Sequence, residues 1–131
     1  VVVFNPPNNP DQYYVKRVIG VPGDQIKIED GKVFRFEEGR YREVDESRYL
    51  SGENYNRTFL SQRESAEFDV PEEKYFVLGD NRNKSTDSRN CFRSVPVRCD
   101  SDSIDAYVGI EDIRGKAWIV FWPLKNARIL D

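Results

Sequence analysis

The chain contains no histidine in its 131 residues, and it has only two cysteines. Because zinc sites are built mainly from cysteine and histidine, a zinc site of the ordinary type cannot be assembled from these residues. A Cys-His catalytic pair is excluded for the same reason. If the protein is a hydrolase, its general base must be another residue type. We therefore expect neither a metal nor a cofactor.

The chain also lacks long apolar runs and a large excess of charge. No stretch approaches the roughly 18 apolar residues of a membrane-spanning helix, and the first residues lack the layout of a signal peptide. Twenty basic and twenty-three acidic residues are mixed along the sequence, which leaves no basic stripe for nucleic acid and no polybasic membrane patch. The length and the 38% hydrophobic content predict one domain over residues 1–131.

Sustained helical periodicity is missing as well, and strand signals dominate. Asp30-Gly31 predicts a tight hairpin, residues 110–113 can form one helical turn, and residues 37–70 predict a loop-rich excursion with short strands. The fold class is therefore predicted to be mostly β. The predicted strands cover residues 1–4, 13–21, 25–29, 32–36, 74–78 and 117–122, of which the last two are expected to be buried.

One lysine stands inside a β-branched and aromatic run, the segment YYVKRVIGVPGD at residues 13–24. Strand alternation places Lys16 on one face with Tyr14 and Val18, which makes it a cation among apolar neighbours. With an ordinary pKa near 10.4, only about four in ten thousand such amines are neutral at pH 7. Burial can lower the pKa far enough for the amine to act as a base. The alternative is a lysine that reaches solvent from an edge strand.

A second segment, GDNRNKSTDSR at residues 79–89, follows a predicted buried strand. Gly79-Asp80-Asn81 is typical of a turn in which the Asp and Asn side chains bond nearby backbone amides. Asp87 and Arg89 are two residues apart, so in an extended segment they would lie on one face and form an ion pair. Such a pair would order this loop only if it were partly buried.

Taken together, the two segments resemble the lysine motif and the Gly-Asp-Asn-Arg-x-x-Ser-x-Asp-Ser-Arg motif of type I signal peptidases, in the same order. The resemblance implies a fold of antiparallel sheets and a Ser-Lys endopeptidase. Lys16 would be the general base, which takes a proton from a serine hydroxyl and returns one to the leaving amine. Ser85 would be the second active-site serine that holds the amine, and supporting roles would fall to Gly79, Asp80, Asn81, Asp87 and Arg89.

The family's nucleophilic serine lies in a Ser-Met-x-Pro-type motif, which does not occur in this sequence. Val1 to Phe4 resemble the strand that follows that motif. We therefore expect a carboxy-terminal part of a longer enzyme, with its nucleophile and membrane anchor upstream and this domain on the extracytoplasmic side of the membrane. Ser85 as the nucleophile is the alternative, although serines in such turns are usually turn formers.

The resemblance also implies the substrate, which would be the signal peptides of exported precursors. Family members bind an extended peptide beside the strand that enters the lysine, so residues 11–15, with Tyr13, Tyr14 and Val15, are the expected binding edge. Val3 and Val15 match positions that line pockets for small residues one and three positions before the cut.

Cys91 and Cys99 are candidates for a disulfide, which would fit an exported domain, and two free buried thiols are the alternative. They lie in residues 90–106, an insertion relative to many members of the family. This insertion would either brace the active-site edge or decorate the surface, and decoration is the simpler expectation.

Two further functions stay open. A self-cleaving repressor-type protease shares the Ser-Lys chemistry, but it lacks this Asp-Asn-Arg motif and normally carries a DNA-binding part, for which the charge pattern gives no support. A non-catalytic factor of the same fold would bind or assemble with peptides without cutting them. The presence of Lys16 speaks against that function, because peptide binding alone needs no base.

Overall fold

The computed structural model describes residues 1–120, 125 and 127–130. Short 3₁₀ turns cover Ser88–Asn90, Ile104–Ala106 and Ile110–Asp112, the last of them where one helical turn was predicted. The strands within these residues are β1 (Val2–Phe4), β2 (Tyr14–Gly20), β3 (Gln25–Glu29), β4 (Lys32–Glu37), β5 (Arg40–Glu43), β6 (Ser65–Asp69), β7 (Lys74–Leu78), β8 (Val108–Gly109), β9 (Ile113–Lys116), β10 (Ile119–Val120) and β11 (Arg128–Ile129).

These strands form two main antiparallel sheets. One sheet has the order β8-β7-β2-β1-β9, and the other has the order β5-β4-β3-β6, while β10 and β11 form a separate pair. The prediction of a mostly β, antiparallel fold is confirmed. Residues 37–70 contain β5 and β6, so this excursion supplies both edge strands of the four-stranded sheet.

The hairpin between β3 and β4 forms where Asp30-Gly31 predicted it. Both turn residues have positive φ, 51° for Asp30 and 75° for Gly31, as a two-residue hairpin turn of this twist requires. Ile28 pairs with Val33 across the hairpin, and both side chains are buried. Because side chains alternate along β3, one face of the four-stranded sheet points toward the core.

The hydrophobic core lies between the two main sheets, and β7 is buried on both of its faces. Phe76 and Leu78 pack with residues of β3 and β6, with the Phe76 ring centroid 4.7 Å from that of Phe68. Val77, which points the opposite way, packs in a second cluster with Phe4. Because β7 is fixed from both sides, the residues that follow it start from a rigid position.

The expectation of a buried strand over residues 117–122 is wrong for the part that the structure describes. Only Ile119 and Val120 form a strand there, and it pairs solely with β11 among the described residues. Trp118 is 62% exposed and Ile119 is 63% exposed. Aromatic and β-branched content alone therefore did not bury these side chains. Residues 121 and 122 lie outside the described residues.

The insertion at residues 90–106 is not a surface decoration, which corrects the simpler expectation. Cys91, Cys99 and Ala106 belong to the main core cluster, and Phe92 belongs to the second cluster. The structure joins Cys91 and Cys99 in a disulfide. The segment after Arg89 is therefore tied into the core on both sides of β7.

Candidate active site

Lys16 lies in the middle of β2, where it pairs with Val2 of β1. The side chain is half-buried, and its Nζ lies 5.3 Å from the centre of the Tyr14 ring on the same face of the strand. Burial lowers the pKa of the Lys16 amine, and the nearby Asp87 carboxylate opposes this by raising it. No carboxylate of the described residues lies within salt-bridge distance of Nζ. Loss of hydration is therefore the main reason for the lowered pKa.

Gly79 is the point where Lys16 and Ser85 come together. An ideal Cβ on Gly79 would lie 2.0 Å from Ser85 Oγ and 3.4 Å from Lys16 Nζ. Both atoms therefore lie within a few ångströms of one point beside the Gly79 backbone. Only a residue without a side chain leaves room for this approach.

The Ser85 hydroxyl is shielded from solvent by its surroundings. It lies close enough to the Asp87 carboxylate to help lower the pKa of that group, yet Oγ has no hydrogen bond of ordinary geometry to any described residue. The backbone N–H of Ser85 donates to the Asn81 carbonyl at 2.9 Å, so the turn that carries the hydroxyl is fixed. Asn81 itself is exposed.

Asp87 and Arg89 form a buried bidentate ion pair, with both N–O distances at 2.9 Å. Asp87 is 0% exposed, and its carboxylate also accepts the backbone N–H of Gly79 at 3.1 Å. Burial alone would raise the pKa of Asp87, but the Arg89 guanidinium and the hydrogen bonds lower it below its ordinary value. The carboxylate is therefore ionised, and it anchors the backbone of Gly79, beside which Ser85 and Lys16 come together.

Asp80 differs from its predicted role, because its side chain does not cap backbone amides of the turn. It accepts two hydrogen bonds from Arg17, from Nε at 2.9 Å and from Nη2 at 3.0 Å. The Arg17 guanidinium also lies 3.9 Å from the centre of the Tyr49 ring. Local sequence could not show this, since residues 17 and 80 become neighbours only through the pairing of β2 with β7.

The predicted substrate edge is open on one side of β2. Tyr14–Lys16 pair with β1, whereas β7 pairs with β2 only from Arg17 onward, and no other described strand occupies that side. Val3 and Val15 are direct partners in the β1–β2 register, so their side chains lie on one face, and Val15 is 54% exposed. Tyr13 is exposed, while the Tyr14 ring packs edge-on against Phe4 and Phe92.

A cavity of about 140 Å³ adjoins this edge. Its lining combines the first residue of the chain, both cations of β2 and residues near the carboxy terminus. The lining residues are Val1, Val15, Lys16, Arg17, Asp80, Val120, Arg128 and Leu130. Val15 and Lys16 both contribute to the lining of this cavity, although their side chains alternate to opposite faces of β2.

Arg82 and Glu46 are site neighbours that the sequence reasoning did not single out. Arg82 stands in the second motif, but Glu46 lies in the charged excursion, where many acidic residues look alike. Their side chains form a buried ion pair next to Gly79. No local pattern could have identified Glu46, because its partner is 36 residues away.

No helix among the described residues is long and apolar enough to cross a membrane. They also contain no group of three or more cysteine, aspartate or glutamate side chains placed to hold a metal ion.

Comparison with known proteins gives a consistent set of similarities. Residues 1–122 match the sequence profile described as Signal peptidase, peptidase S26. A signal peptidase I of Rickettsia akari is 38% identical over 120 residues, covering 73% of this chain and 45% of the relative. One from Rickettsia typhi is 38% identical over 149 aligned residues, covering 95% and 52%. The chain thus spans about half the length of these curated relatives.

A solved structure shows the same similarity in three dimensions. The crystal structure of a signal peptidase I from Enterococcus faecalis superposes with a TM-score of 0.50 and 29% sequence identity. The superposition covers 87% of this chain and 89% of the other.

Proposed function

Because this chain belongs to the signal peptidase family, peptidase S26, we propose that it is part of a serine endopeptidase. The enzyme would cleave signal peptides from exported precursors, and this chain would carry its general base. The observation that carries the assignment is that Lys16 Nζ and Ser85 Oγ both lie within a few ångströms of one point beside Gly79. A half-buried amine with a lowered pKa has the property that a lysine base needs.

In the proposed reaction, Lys16 takes the proton of a serine hydroxyl as the serine oxygen bonds to the scissile carbonyl carbon. The same amine then gives that proton to the leaving nitrogen as the peptide C–N bond breaks, which leaves an acyl-enzyme. Lys16 then deprotonates a water molecule as the water oxygen bonds to the acyl carbon. The bond from that carbon to the serine oxygen breaks, Lys16 returns the proton to the serine oxygen, and the signal peptide is released with a free carboxyl end. Ser85 orients the Lys16 amine through its hydroxyl, and the Asp87–Arg89 pair holds the turn.

The attacking serine is proposed to lie outside these 131 residues. Val1 lines the cavity that contains Lys16, and Val2 pairs with Lys16. A residue joined ahead of Val1 would therefore enter the fold beside β2, next to Lys16. Ser85 is poorly placed to attack, because its oxygen is shielded from solvent.

The substrate is proposed to bind as an added strand along the open side of Tyr14–Lys16. Backbone hydrogen bonds would give affinity there, and the face that carries Val3 and Val15 would select small side chains one and three positions before the cut. The Cys91–Cys99 disulfide fits an oxidising compartment, which agrees with a domain on the extracytoplasmic side of a membrane-anchored protein.

The test is a Lys16→Arg variant in the product of the full gene, assayed for cleavage of a signal-peptide precursor. Arginine stays protonated at working pH, so cleavage should fall by about 10²- to 10⁴-fold while folding is kept. Lys27→Arg is a matched control, since Lys27 is another partly buried strand lysine that lies away from this site. Near-normal cleavage by Lys16→Arg would refute the Ser-Lys mechanism and favour a non-catalytic peptide-binding protein.

A covalent probe identifies the nucleophile independently. An acylating inhibitor should modify a serine other than Ser85, as located by mass spectrometry of the digested protein. Acylation of Ser85 itself would overturn the proposed division of roles between the two serines.

A further inference from the structure

Glu46 and Arg82 form a buried ion pair that links the long excursion to the active-site turn. Arg82 Nη2 lies 2.6 Å from one Glu46 oxygen and Nη1 lies 3.0 Å from the other. Nη1 also donates to the Thr58 hydroxyl at 2.5 Å. Glu46 is 5% exposed and Arg82 is 2% exposed, so the pair is removed from solvent.

The third guanidinium nitrogen of Arg82 binds the backbone of the site itself. Arg82 Nε donates to the Gly79 carbonyl oxygen at 2.9 Å, while the Gly79 N–H donates to Asp87. Both polar groups of Gly79 are therefore held by buried charged side chains. Since Ser85 Oγ and Lys16 Nζ both lie close to the side-chain position that Gly79 leaves empty, the position of Gly79 limits how closely these two atoms approach each other.

Tyr49 extends the same arrangement to the strand that carries the base. Its hydroxyl donates to Glu46 at 3.0 Å, and its ring lies 3.9 Å from the guanidinium of Arg17, the neighbour of Lys16. Burial and the Glu46 carboxylate raise the pKa of Tyr49, so the phenol keeps the proton it donates. The short segment from Glu46 to Tyr49 thus contacts both arginines that flank the site.

Stability alone does not require an ion pair at this position. A buried pair can often be replaced by apolar residues of similar volume without loss of stability, because removing two charges from water offsets most of their attraction. What apolar residues could not provide is a directed hydrogen bond to the Gly79 carbonyl.

We propose that Glu46 is a positioning residue for the cleavage reaction, which acts through Arg82 to hold Gly79 where Ser85 meets the Lys16 amine. This inference rests on the proposed function, and it assigns part of the residue 37–70 excursion to the catalytic machinery. Glu46 touches neither the substrate edge nor Lys16 in the contacts described above, so its effect must pass through the turn.

The first test is Glu46→Gln in the product of the full gene, with Glu43→Gln as the matched control, because Glu43 makes only an exposed ion pair with Lys32. Misplacing the reacting groups by about 1 Å can cost up to 10²-fold, so we expect kcat to fall by about 10- to 100-fold. KM should change by no more than about twofold, because the binding edge is held by β1.

The pH dependence of cleavage separates positioning from simple structural support. A loosened turn would admit water to the Lys16 amine, whose pKa is lowered mainly by burial. The acid limb of the kcat profile should therefore shift to higher pH in Glu46→Gln and stay in place in Glu43→Gln. A kcat and an acid limb equal to those of the wild type would overturn the inference.

A double variant keeps the test decisive if Glu46→Gln fails to fold. Glu46→Leu combined with Arg82→Met leaves no unpaired buried charge, so thermal stability should return toward that of the wild type. The kcat should remain at least about tenfold low, because the bond to Gly79 is still missing. Recovery of both stability and kcat would show a purely structural pair and refute the inference.

A failure of the positioning role of Glu46 can be distinguished from a failure of the proposed function. If the wild-type protein does not cleave precursor at all, the proposed function fails. Labelling of the Lys16 amine by an acylating reagent as a function of pH still measures its pKa without any cleavage. An upward shift in Glu46→Gln would support the positioning role, and an unchanged profile would contradict it.

Discussion

Replacing Gly79 with alanine gives the sharpest test of the site geometry. The new Cβ would lie 2.0 Å from Ser85 Oγ and 2.5 Å from Ser85 Cβ, both closer than real contacts allow. Gly79 is not in the left-handed region of φ, so alanine adds no backbone strain and the penalty is steric. Overpacking of this kind costs about 1–3 kcal/mol.

The displaced group would be Ser85, because the backbone of Gly79 is fixed by Asp87 and Arg82. For a domain of this size, the lost stability should lower Tm by roughly 3–12 °C. Cleavage of precursor should fall by about 10²-fold, because the hydroxyl would leave the position from which it is proposed to orient the Lys16 amine. Differential scanning calorimetry and a precursor-cleavage assay on the full gene product measure the two effects.

Gly52→Ala is the matched control, since an added Cβ there meets no atom within 4 Å and the backbone is not in the left-handed region. It should leave both Tm and cleavage close to wild type. If Gly79→Ala also behaved like wild type, the close approach of Ser85 and Lys16 around this glycine would be refuted.

Three further predictions concern buried groups. Asp87→Asn leaves the Arg89 guanidinium buried without its carboxylate. Urea unfolding should therefore show a free energy of unfolding lowered by about 3–5 kcal/mol. A decrease below about 1 kcal/mol would contradict the burial of the pair. The pKa of Asp87 is lowered in the folded protein. Its contribution to the free energy of unfolding is therefore complete above the unfolded pKa of about 3.9, and it is lost as the pH falls through the folded pKa. Below about pH 4, the wild type should lose stability more steeply than Asp87→Asn. Cys91→Ser combined with Cys99→Ser opens a loop with a sequence separation of 8 residues, which should lower the unfolding free energy by about 2.5 kcal/mol in the chain-entropy model. Unchanged thermal unfolding after this double substitution would show that the disulfide does not contribute to stability.

The sequence by itself determined the parts of this protein that depend on neighbouring residues. Alternation in residues 25–29 and the Asp30-Gly31 turn predicted the hairpin of β3 and β4, since strand pairing across a tight turn is a local event. The two motifs identified Lys16 and the turn at residues 79–89 for the same reason, because each motif is contiguous. Their order along the chain was enough to indicate the family.

Tertiary structure alone decided which distant groups meet and which surfaces are covered. Asp80 pairs with Arg17 instead of capping its own turn, because β7 delivers it beside β2. Glu46 reaches Arg82 across the fold, although its local sequence resembles that of any charged loop. Trp118 and Ile119 are exposed despite strand-forming composition, since β10 pairs only with β11 among the described residues. Burial and long-range contact depend on how the sheets assemble, and no short stretch of sequence contains that information.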